Sequence, residues 1–454
     1  MNPSNLRIAI VGSGPSGFYV ADALFKLDAS VTIDMFERLP TPYGLLRAGV
    51  APDHQKMKSV CAYFERVAQH IGFGFWGNVV VGKDVSIAEL QGYYDIVVIT
   101  TGAQTDKKLN IPGEHFLGSY TATEFVAWYN AHPDYQDRRF NLDAESVAII
   151  GLGNVAIDVT RVLAKTPEEL STSDITATAM DALKNSHVKE IHLIGRRGPA
   201  QSAFTELEIK ELGHLGDCDC VVSPADLILN DQSQAEVDDP ANAKARKNMA
   251  VLQELAAQHT HMKRKKIVLH FLRTPVEIFK DGVVSAIRLE KNKLVGDAGR
   301  QKAVGTGEFV DLPCQMILRS VGYQGVPVEG VPFDLSRGII PNQHGRVTTP
   351  NGGQVPGLYV SGWIKRGASG VIGTNKPDGQ ETASSIMADA PSLHRVPHRD
   401  SAALRQLLIT RGVRTVGFSD WKRIDSEEQA RGKMSGKPRE KMTKISDMLA
   451  FLSV

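Results

Sequence analysis

The stretch RIAIVGSGPSG, residues 7–17, decides the fold of this 454-residue chain. Five residues typical of a short buried parallel strand lead directly into Gly12, Gly14 and Gly17, in G-x-G-x-x-G spacing. The first glycine permits a tight turn, the second lets a pyrophosphate approach the backbone, and the third lets the next helix pack closely on the strand. A helix predicted over residues 18–28 would point its N-terminal amides at phosphate. We predict a dinucleotide site here, the alternative being a turn with a structural role alone.

An acidic residue at the end of the next strand supports this prediction. The strand VTIDMFE ends on Glu37, which comes twenty residues after Gly17. In a βαβ nucleotide-binding unit, an acid at this spacing accepts a hydrogen bond from a ribose hydroxyl. Glu37 is therefore the predicted ribose acceptor.

Length, charge and cysteine content narrow the class of protein. The chain is long enough for two or three domains, and its formal net charge of +1 gives no sign of nucleic acid or of a membrane surface. No apolar run approaches the ~18 residues that a membrane helix needs. The first strand begins a few residues after Met1, so we expect no targeting peptide and a cytoplasmic location. The four cysteines have neither C-x-x-C nor zinc spacing, so we expect reduced thiols and no metal.

The sequence VAIIGLGNVAIDVTRVLA, residues 147–164, repeats the opening pattern. A buried strand leads into Gly151, Gly153 and Ala156 in G-x-G-x-x-A spacing, and an apolar helical pattern follows. Two such signatures in one chain are far less probable by chance than one. They predict two Rossmann-like units that carry two different nucleotides.

The second unit differs from the first in the charge that follows its second strand. The stretch EIHLIGRRGP places Arg196 and Arg197 where the first unit has Glu37. Guanidinium groups match the oxygens of a 2′-phosphate, which a carboxylate would repel. We therefore expect FAD in the first unit and NADPH in the second. The alignment of the second unit with the first stays open, because the inserted residues 166–187 make the sequence separation between Ala156 and Arg196 about twice the usual one. The alternative is that the two arginines form an exposed basic turn.

Several other segments carry weaker expectations. In the glycine-rich tract of residues 357–390, a helix after Gly370 would bring backbone amides to a flavin ring, and Trp363 either stacks on that ring or fills the core. From the residues alone, His54 is better explained as a helix cap or a surface residue. A helix is expected over residues 56–69. Residues 203–215 are expected to be helical with Phe204, Leu207 and Leu212 towards the core, residues 230–250 to be a surface excursion, and the C-terminal residues to form helices outside the first domain.

With both units described, the sequence closely resembles the adrenodoxin-reductase family of NADPH-ferredoxin reductases, over essentially the whole chain. The motifs that carry the resemblance are VGSGPSGFY, PYGLLRAGVAPDH, GNVVVG, GLGNVAIDV, IGRRGPAQSAFTELEIKEL, RSVGY and SGWIKRGASGVIGTNK. The resemblance implies an α/β fold of two Rossmann-like dinucleotide-binding domains, with the NADP domain inserted into the FAD domain. The implied boundaries are residues 1–105 and 325–454 for the FAD domain and 106–324 for the NADP domain.

The resemblance also implies individual roles. For FAD it implies contacts from Ser16, Glu37, Leu45, Val81, Trp363, Gly370, Val371 and Ile372. For NADP it implies contacts from Gly153, Asn154, Val155, Arg196, Arg197, Glu208 and Gly370. It further implies that His54 and Glu211 are the polar pair near the nicotinamide.

The implied activity is transfer of hydride from NADPH to FAD, followed by single-electron transfer to a small acidic ferredoxin. Lys365, Arg366 and the basic run of residues 263–266 are the candidates for docking that partner. Two alternatives stay open: a flavoprotein that reduces quinone, oxygen or another acceptor, and a nucleotide sensor that binds FAD without turnover. The related disulfide reductases have Gly-Asp where this chain has Ser361-Gly362-Trp363, and their redox cysteines are missing here.

Overall fold

The computed structural model describes residues 6–258, 262–279, 282–393 and 401–453. Its strands form two large sheets, a three-stranded sheet and a two-stranded ribbon. The strands are β1 (Arg7–Val11), β2 (Thr32–Phe36), β3 (Phe73–Trp76), β4 (Ile96–Ile99), β5 (Thr105–Asp106), β6 (Ser119–Thr121), β7 (Ser146–Ile150), β8 (Glu190–Ile194), β9 (Cys218–Val222), β10 (Lys265–His270), β11 (Arg273–Phe279), β12 (Ala286–Val295), β13 (Lys302–Pro313), β14 (Met316–Arg319), β15 (Tyr323–Gln324), β16 (Asn342–Gln343), β17 (Arg346–Thr348) and β18 (Gln354–Val360).

Helices connect these strands and cover the faces of the two large sheets. They are α1 (Pro15–Leu27), α2 (Leu45–Ala48), α3 (Gln55–Lys58), α4 (Cys61–Ala68), α5 (Ile87–Tyr93), α6 (Ala122–Tyr129), α7 (Asn154–Ala164), α8 (Pro167–Leu170), α9 (Ala177–Lys184), α10 (Glu206–Leu212), α11 (Asp231–Asp238), α12 (Ala243–Ala257), α13 (Trp363–Arg366), α14 (Asn375–Asp389), α15 (Ser401–Thr410), α16 (Phe418–Met434) and α17 (Ile445–Phe451). Among the described residues, none of them is both long and apolar enough to cross a membrane.

The first sheet joins the two ends of the chain. Its strand order is β16-β17-β18-β4-β1-β2-β3, and β1 pairs in parallel with both β2 and β4. All four residues of β4, IVVI, are buried, as expected for a strand covered on both faces. The chain order changes direction between β1 and β4, which is where open parallel sheets bind nucleotides.

The second sheet is built from the middle of the chain. Its strands lie in the order β6-β14-β7-β8-β10-β9, and every pair is parallel. The sheet β11-β12-β13 is antiparallel and packs on one face of it, where Ile287 and Leu289 join Ala148 and Ile150 in one hydrophobic cluster. The predicted architecture, in which one Rossmann-like unit is inserted into the other, is confirmed.

The two chain crossings between the large sheets pair with each other. Strand β5 forms an antiparallel ribbon with β15, in which Tyr323 pairs with Asp106 and Gln324 with Thr105. The expected domain boundaries after residues 105 and 324 fall within this ribbon. We retain these boundaries as a proposal that the ribbon supports.

Several local expectations need correction. The first helix begins at Pro15, because proline is well suited to the first helical turn. The helix expected over residues 56–69 is divided into α3 and α4, and Ser59 Oγ donates to Lys56 O at the break. Leu207 is 74% exposed, although Phe204 and Leu212 are fully buried as expected.

The polar segment of residues 230–250 lies mostly at the surface, as expected, and it is helical. It forms α11 and the first half of α12, which begin after Asn230 and Asn242. Each asparagine side chain accepts a hydrogen bond from the backbone N–H of the residue three positions later. Asn248 and Met249 on α12 are buried against the second unit. The two N-cap asparagines are the sequence signals that indicate these helices, because apolar residues are sparse on both.

The helices near the C terminus cover the first sheet, as expected. Leu404 and Leu408 of α15 belong to the core that includes Val97 and Ile99 of β4. Trp421 of α16 packs in the core on the other face. Residues 394–400, at the start of this expected helical region, lie outside the described residues.

Candidate active site

A cleft of about 2160 Å³ lies between the two units. Single-ligand pockets usually enclose roughly 300–1,000 Å³, so this cleft has room for two dinucleotides. Most of the predicted site residues line it: Gly12, Gly14, Ser16, Glu37, Leu45, His54, Val81, Asn154, Val155, Glu208, Glu211, Trp363, Gly370, Val371 and Ile372. Gly17, Gly153, Arg196 and Arg197 are not among the lining residues.

The first glycine turn has the geometry that its spacing predicts. Gly12 has φ +108°, and a β-carbon there would lie 2.6 Å from the Thr100 carbonyl oxygen. A β-carbon on Gly17 would lie 2.3 Å from the Gly12 carbonyl oxygen, so this glycine allows helix α1 to pack against the turn. At Gly14, by contrast, a β-carbon would meet no atom within 4 Å. Space for a pyrophosphate therefore opens at the middle glycine.

The second turn repeats this geometry. Gly151 has φ +136°, and a β-carbon there would lie 2.2 Å from the Ser320 carbonyl oxygen. Gly153 precedes α7, and a β-carbon at this residue would meet no atom within 4 Å. Ala156, in the third position, is fully buried. Both turns thus combine a sterically closed first glycine with an open second one.

A pair of equivalent backbone hydrogen bonds settles the register between the units. Gly12 N donates to Phe36 O, and Gly151 N donates to Ile194 O, both at 2.8 Å. Glu37 directly follows the first acceptor, whereas Gly195 and then Arg196 follow the second. The two arginines therefore come at the corresponding strand end, despite the long insertion before β8.

The charged groups at the two strand ends differ as expected. Glu37 accepts hydrogen bonds from Ser13 Oγ at 2.7 Å and from Leu39 N at 3.1 Å, which fixes its carboxylate beside the first turn. Arg196 and Arg197 are exposed, and neither guanidinium has an ion-pair partner in the part of the chain that the structure describes. Burial lowers the pKa of Lys244 on α12, and the positive charge of Arg197 nearby lowers it further. These cations suit an anionic group.

One buried hydroxyl tests whether the first turn fits a ligand. Ser16 Oγ is buried, has no hydrogen-bond partner among the described residues, and belongs to a residue that lines the cleft. A buried hydroxyl left unpaired costs free energy unless a ligand or water satisfies it. Together with the open space at Gly14, this residue fits a cofactor phosphate or sugar.

The wall expected to face a flavin ring is aromatic and apolar. Trp363 stacks on Tyr323 with 5.5 Å between ring centroids, and its indole N–H donates to Ser369 O at 3.1 Å. Leu45 and Val371 line the cleft while 39% and 56% exposed. A flat ring would cover such apolar surface. Helix α14 begins at Asn375, after a 3₁₀ turn over Ile372–Thr374, close to the expected start after Gly370.

His54 is surrounded by three carboxylates. Its Nε2 atom lies 3.2 Å from Glu211 Oε2 and 3.8 Å from Glu208 Oε2, and its Nδ1 atom lies 3.7 Å from Asp158 Oδ1. The histidine precedes α3, in the long loop after β2, while the two glutamates project from α10. The two residues implied by the family resemblance, His54 and Glu211, are therefore in hydrogen-bond contact.

A fully buried arginine, missed in the sequence, supports this cluster. The Arg161 side chain bonds Asp53 through Nε at 2.9 Å, Asp158 through Nη2 at 2.7 Å, and Glu211 through Nη1 at 3.2 Å. Lys165 also contacts Asp53 at 2.7 Å. The sequence contains a signal for this contact, because Asp158 and Arg161 are oppositely charged and three residues apart on a helix that is otherwise mostly apolar.

The pKa values in the cluster follow from burial and these contacts. Burial alone lowers the pKa of His54, but the hydrogen bond to Glu211 and the charge of Asp158 raise it above its ordinary value. Burial and the Asp158 carboxylate raise the pKa of Glu208 to about 7. Raised pKa values of a histidine and a carboxyl group side by side are typical of acid–base sites.

The same residues are close enough together to suggest a metal site. Ligand atoms of His54, Glu208 and Glu211 lie within 4.8 Å of one another. However, the Arg161 guanidinium already contacts both glutamates, at 3.3 and 3.2 Å. This cation already pairs with the two carboxylates that a metal ion would use as ligands.

Replacing His54 with glutamine tests the electrostatics of the cluster. Because the folded-state pKa of His54 is raised, its stabilising charge is fully present below the unfolded pKa of about 6.5 and is lost as pH rises through the folded value. We expect the variant to be less stable than the parent by about 1 kcal/mol at pH 6, and the difference to shrink by pH 9. Urea unfolding with equal added FAD measures this, and a pH-independent difference would contradict the assigned contacts.

Comparisons with known proteins agree with the geometry. Residues 6–197 match the model of the pyridine nucleotide-disulphide oxidoreductase family. The chain is 44% identical over 460 aligned residues to NADPH-ferredoxin reductase FprA of Mycobacterium leprae, which covers 99% of each chain. It is 42% identical to the mitochondrial NADPH:adrenodoxin oxidoreductase of Arabidopsis thaliana, over 98% of this chain and 95% of that protein.

A solved structure is similar over nearly the full length. It is Mycobacterium tuberculosis FprA in complex with NADPH, which is 40% identical in sequence. The superposition has a TM-score of 0.92 and covers 99% of this chain and 100% of that one. The arrangement of the two units is thus shared with a protein that binds NADPH.

Proposed function

Because the chain belongs to the adrenodoxin-reductase family of NADPH-ferredoxin reductases, we propose that it is an FAD-containing NADPH:ferredoxin oxidoreductase. The observation that carries this proposal is the pair of glycine turns, each open at its middle glycine, beside one shared cleft. The acid that follows one turn and the arginines that follow the other support FAD in the first unit and NADPH in the second.

Bound FAD would supply the chemistry, since flavin accepts a hydride and releases electrons singly. The residues of the chain bind and orient the two nucleotides and limit the access of water. Leu45, Val371 and Trp363 offer the apolar wall for the flavin ring. We propose that His54 and Glu211 hold the nicotinamide amide and control protons beside it, and that Arg161 fixes their positions.

The cysteines do not form a route for electrons in the described part of the chain. Cys218 and Cys220 are buried on β9, and burial raises the pKa of Cys218 to about 12. Such thiols are poor nucleophiles and poor redox partners. An external acceptor would then take the electrons, and the names of the relatives, NADPH-ferredoxin reductase and NADPH:adrenodoxin oxidoreductase, support a ferredoxin in that role.

The acidic nature of that partner remains a proposal, and its expected docking residues need correction. Lys365 is buried and ion-paired with Asp378 at 2.7 Å and with Glu381 at 2.5 Å, so the expectation that it docks a partner is wrong. The Arg366 side chain is 24% exposed, although it bonds Thr374 and Asn375 and lies 3.6 Å from Asp378 Oδ2. A cytoplasmic location is part of the same proposal.

The basic run of residues 263–266 is also largely engaged. Lys263 and Lys265 each donate to a backbone carbonyl at 2.7 Å, and Lys266 pairs with Glu190 at 2.7 Å. Arg264 forms an ion pair with Asp217. Because these four side chains already have partners within the protein, the run is a weak candidate for a docking surface.

A salt titration tests the acidic partner. Charge pairing mainly raises the association rate and is screened over about 8 Å at physiological ionic strength. We expect the rate of NADPH-driven reduction of an acidic ferredoxin to fall roughly tenfold between 50 and 500 mM salt. Reduction of menadione, an uncharged quinone, is the control and should change little. Equal salt dependence for both acceptors would contradict the proposal.

The same assay separates the alternatives. A chain that reduces ferredoxin no faster than it reduces oxygen or menadione would be a reductase of another acceptor. Flavin that stays oxidised after anaerobic addition of NADPH would indicate a sensor without turnover.

A further inference from the structure

The basic segment near the C terminus, GKPREKMTK, has no part in the function described so far. We call residues 437–442 of this segment the strap. The strap follows α16, which packs on the first unit, and it extends to elements of the second unit. It therefore lies where it can hold the two units together.

Lys441 is the buried centre of the strap. Its side chain is 1% exposed, and its ammonium group lies 3.3 Å from Asp174 Oδ2. It donates to Arg47 O at 3.1 Å and to Asn130 Oδ1 at 3.3 Å. Arg47 belongs to the first unit, while Asn130 and Asp174 belong to the second. One side chain thus contacts both units.

Asp174 adds a second link across the same interface. Its other carboxylate oxygen accepts from Lys58 Nζ at 2.5 Å, and its backbone N–H donates to Pro52 O at 3.3 Å. Lys58 ends α3, the short helix that begins after His54. The loop that carries His54 is therefore tied to the second unit through the carboxylate that Lys441 also contacts.

Two other residues of the strap bind the start of α9. Lys437 Nζ donates to Ile175 O at 3.0 Å and pairs with Glu440 at 2.7 Å. Glu440 in turn accepts the backbone N–H of Ala177 at 3.0 Å. These contacts place charged side chains of the strap directly on backbone groups of the second unit.

The strap is anchored on the first unit by a fully buried glutamate. Glu428 of α16 accepts from Met442 N at 2.9 Å and pairs with Arg47 at 2.5 Å. It also contacts Arg439 at 3.4 Å. Because Arg47 belongs to α2, which begins at the cleft residue Leu45, the anchor reaches the wall expected to face the flavin.

We propose that the strap sets the position of the second unit against the first, and that Lys441 is a positioning residue for hydride transfer. The inference rests on the proposed function, because positioning matters only if NADPH reduces a flavin in this cleft. A displacement of about 1 Å between reacting groups is enough to cost on the order of 100-fold in rate. Loosening the strap should therefore slow the chemical step while each nucleotide still binds its own unit.

Lys441→Met is the principal test variant. Burial, together with the cations Lys58 and Arg47, lowers the pKa of Lys441, while Asp174 opposes that shift. Removing one member of a buried ion pair destabilises a protein when its partner is left uncompensated, but Asp174 keeps its ion pair with Lys58 in this variant. Lys444→Met is the matched control, since Lys444 is exposed and lies outside the strap. Asp174→Asn tests the same link from the second unit.

Three measurements on the flavin-loaded proteins decide the inference. With Lys441→Met and Asp174→Asn, we expect the rate constant for anaerobic flavin reduction by NADPH to fall about tenfold or more. The dissociation constant for 2′,5′-ADP, a ligand expected to occupy only the second unit, should stay within about twofold of the parental value. Hydrogen exchange at the Ala177 amide should rise about tenfold, since that amide bonds the strap. Lys444→Met should change none of these values.

The outcomes are distinguishable. Parental reduction rates in both test variants would overturn the inference, as would a loss of 2′,5′-ADP binding equal to the loss of rate, which would indicate general damage. A parent whose flavin NADPH does not reduce would instead refute the proposed function, and hydrogen exchange would still show whether the strap joins the units.

Discussion

Replacing Arg196 and Arg197 together with alanine is expected to remove most of the preference for NADPH over NADH. Both guanidiniums are exposed at the end of β8 and have no ion-pair partner among the described residues. A hydrogen bond to a charged group contributes roughly 1.5–3 kcal/mol, so each arginine accounts for about a 10- to 100-fold difference in binding. We expect the KM for NADPH to rise by on the order of 100-fold or more, while kcat and the parameters for NADH change little.

A second exposed arginine pair provides the matched control. Arg138 and Arg139 are also exposed, belong to the same unit, and are not among the residues that line the cleft. Replacing both with alanine should leave the KM for NADPH unchanged. If the Arg196 and Arg197 variant kept the full NADPH preference, these arginines would be an exposed basic turn, and another group would have to bind the 2′-phosphate.

Substitutions at the middle glycine of each turn, Gly14 and Gly153, should affect the binding of one cofactor each. Gly14 and Gly153 have ordinary extended backbone angles, and a β-carbon at either would meet no protein atom within 4 Å. Valine at these positions should therefore preserve the fold and fill only the space meant for a pyrophosphate. We expect Gly14→Val to be purified without FAD. We expect Gly153→Val to retain FAD but to require on the order of 100-fold more NADPH for reduction of the flavin.

Flavin content after denaturation, circular dichroism and anaerobic reduction by NADPH measure these effects. Gly12→Val is the control for damage to the fold, because its β-carbon would lie 2.6 Å from the Thr100 carbonyl oxygen. Full flavin content in Gly14→Val, or unchanged NADPH dependence in Gly153→Val, would contradict the assignment of one nucleotide to each turn.

The nucleotide sites were predictable because the residues that form each turn are close together in the sequence. The glycine spacing fixes a turn whose first glycine must have positive φ, as Gly12 and Gly151 do. Glu37 comes one residue after Phe36, which accepts the hydrogen bond from Gly12 N. Arg196 comes two residues after Ile194, which accepts the equivalent bond from Gly151 N. Such features depend on neighbours in sequence, so a single chain reveals them.

The ionic contacts were not predictable for the opposite reason. Lys365 and the run at residues 263–266 look like free surface charge in the sequence, because the carboxylates and backbone carbonyls that they contact lie on other segments of the chain. Arg161 has one local partner, Asp158, but its contact with Asp53 and the contact of Lys441 with Asp174 each join residues more than 100 positions apart. Sequence alone reveals the charge of such side chains and not the partner that neutralises it.

An anaerobic titration with ferredoxin tests the central claim most directly. The flavin-loaded protein would be reduced by one equivalent of NADPH, followed by stepwise addition of an oxidised ferredoxin, with both absorption spectra recorded. Because NADPH carries two electrons and a ferredoxin accepts one, the account predicts complete bleaching of the flavin by NADPH and then two reduced ferredoxins per NADPH. Flavin that NADPH leaves oxidised, or reduced flavin that ferredoxin does not reoxidise, would contradict it.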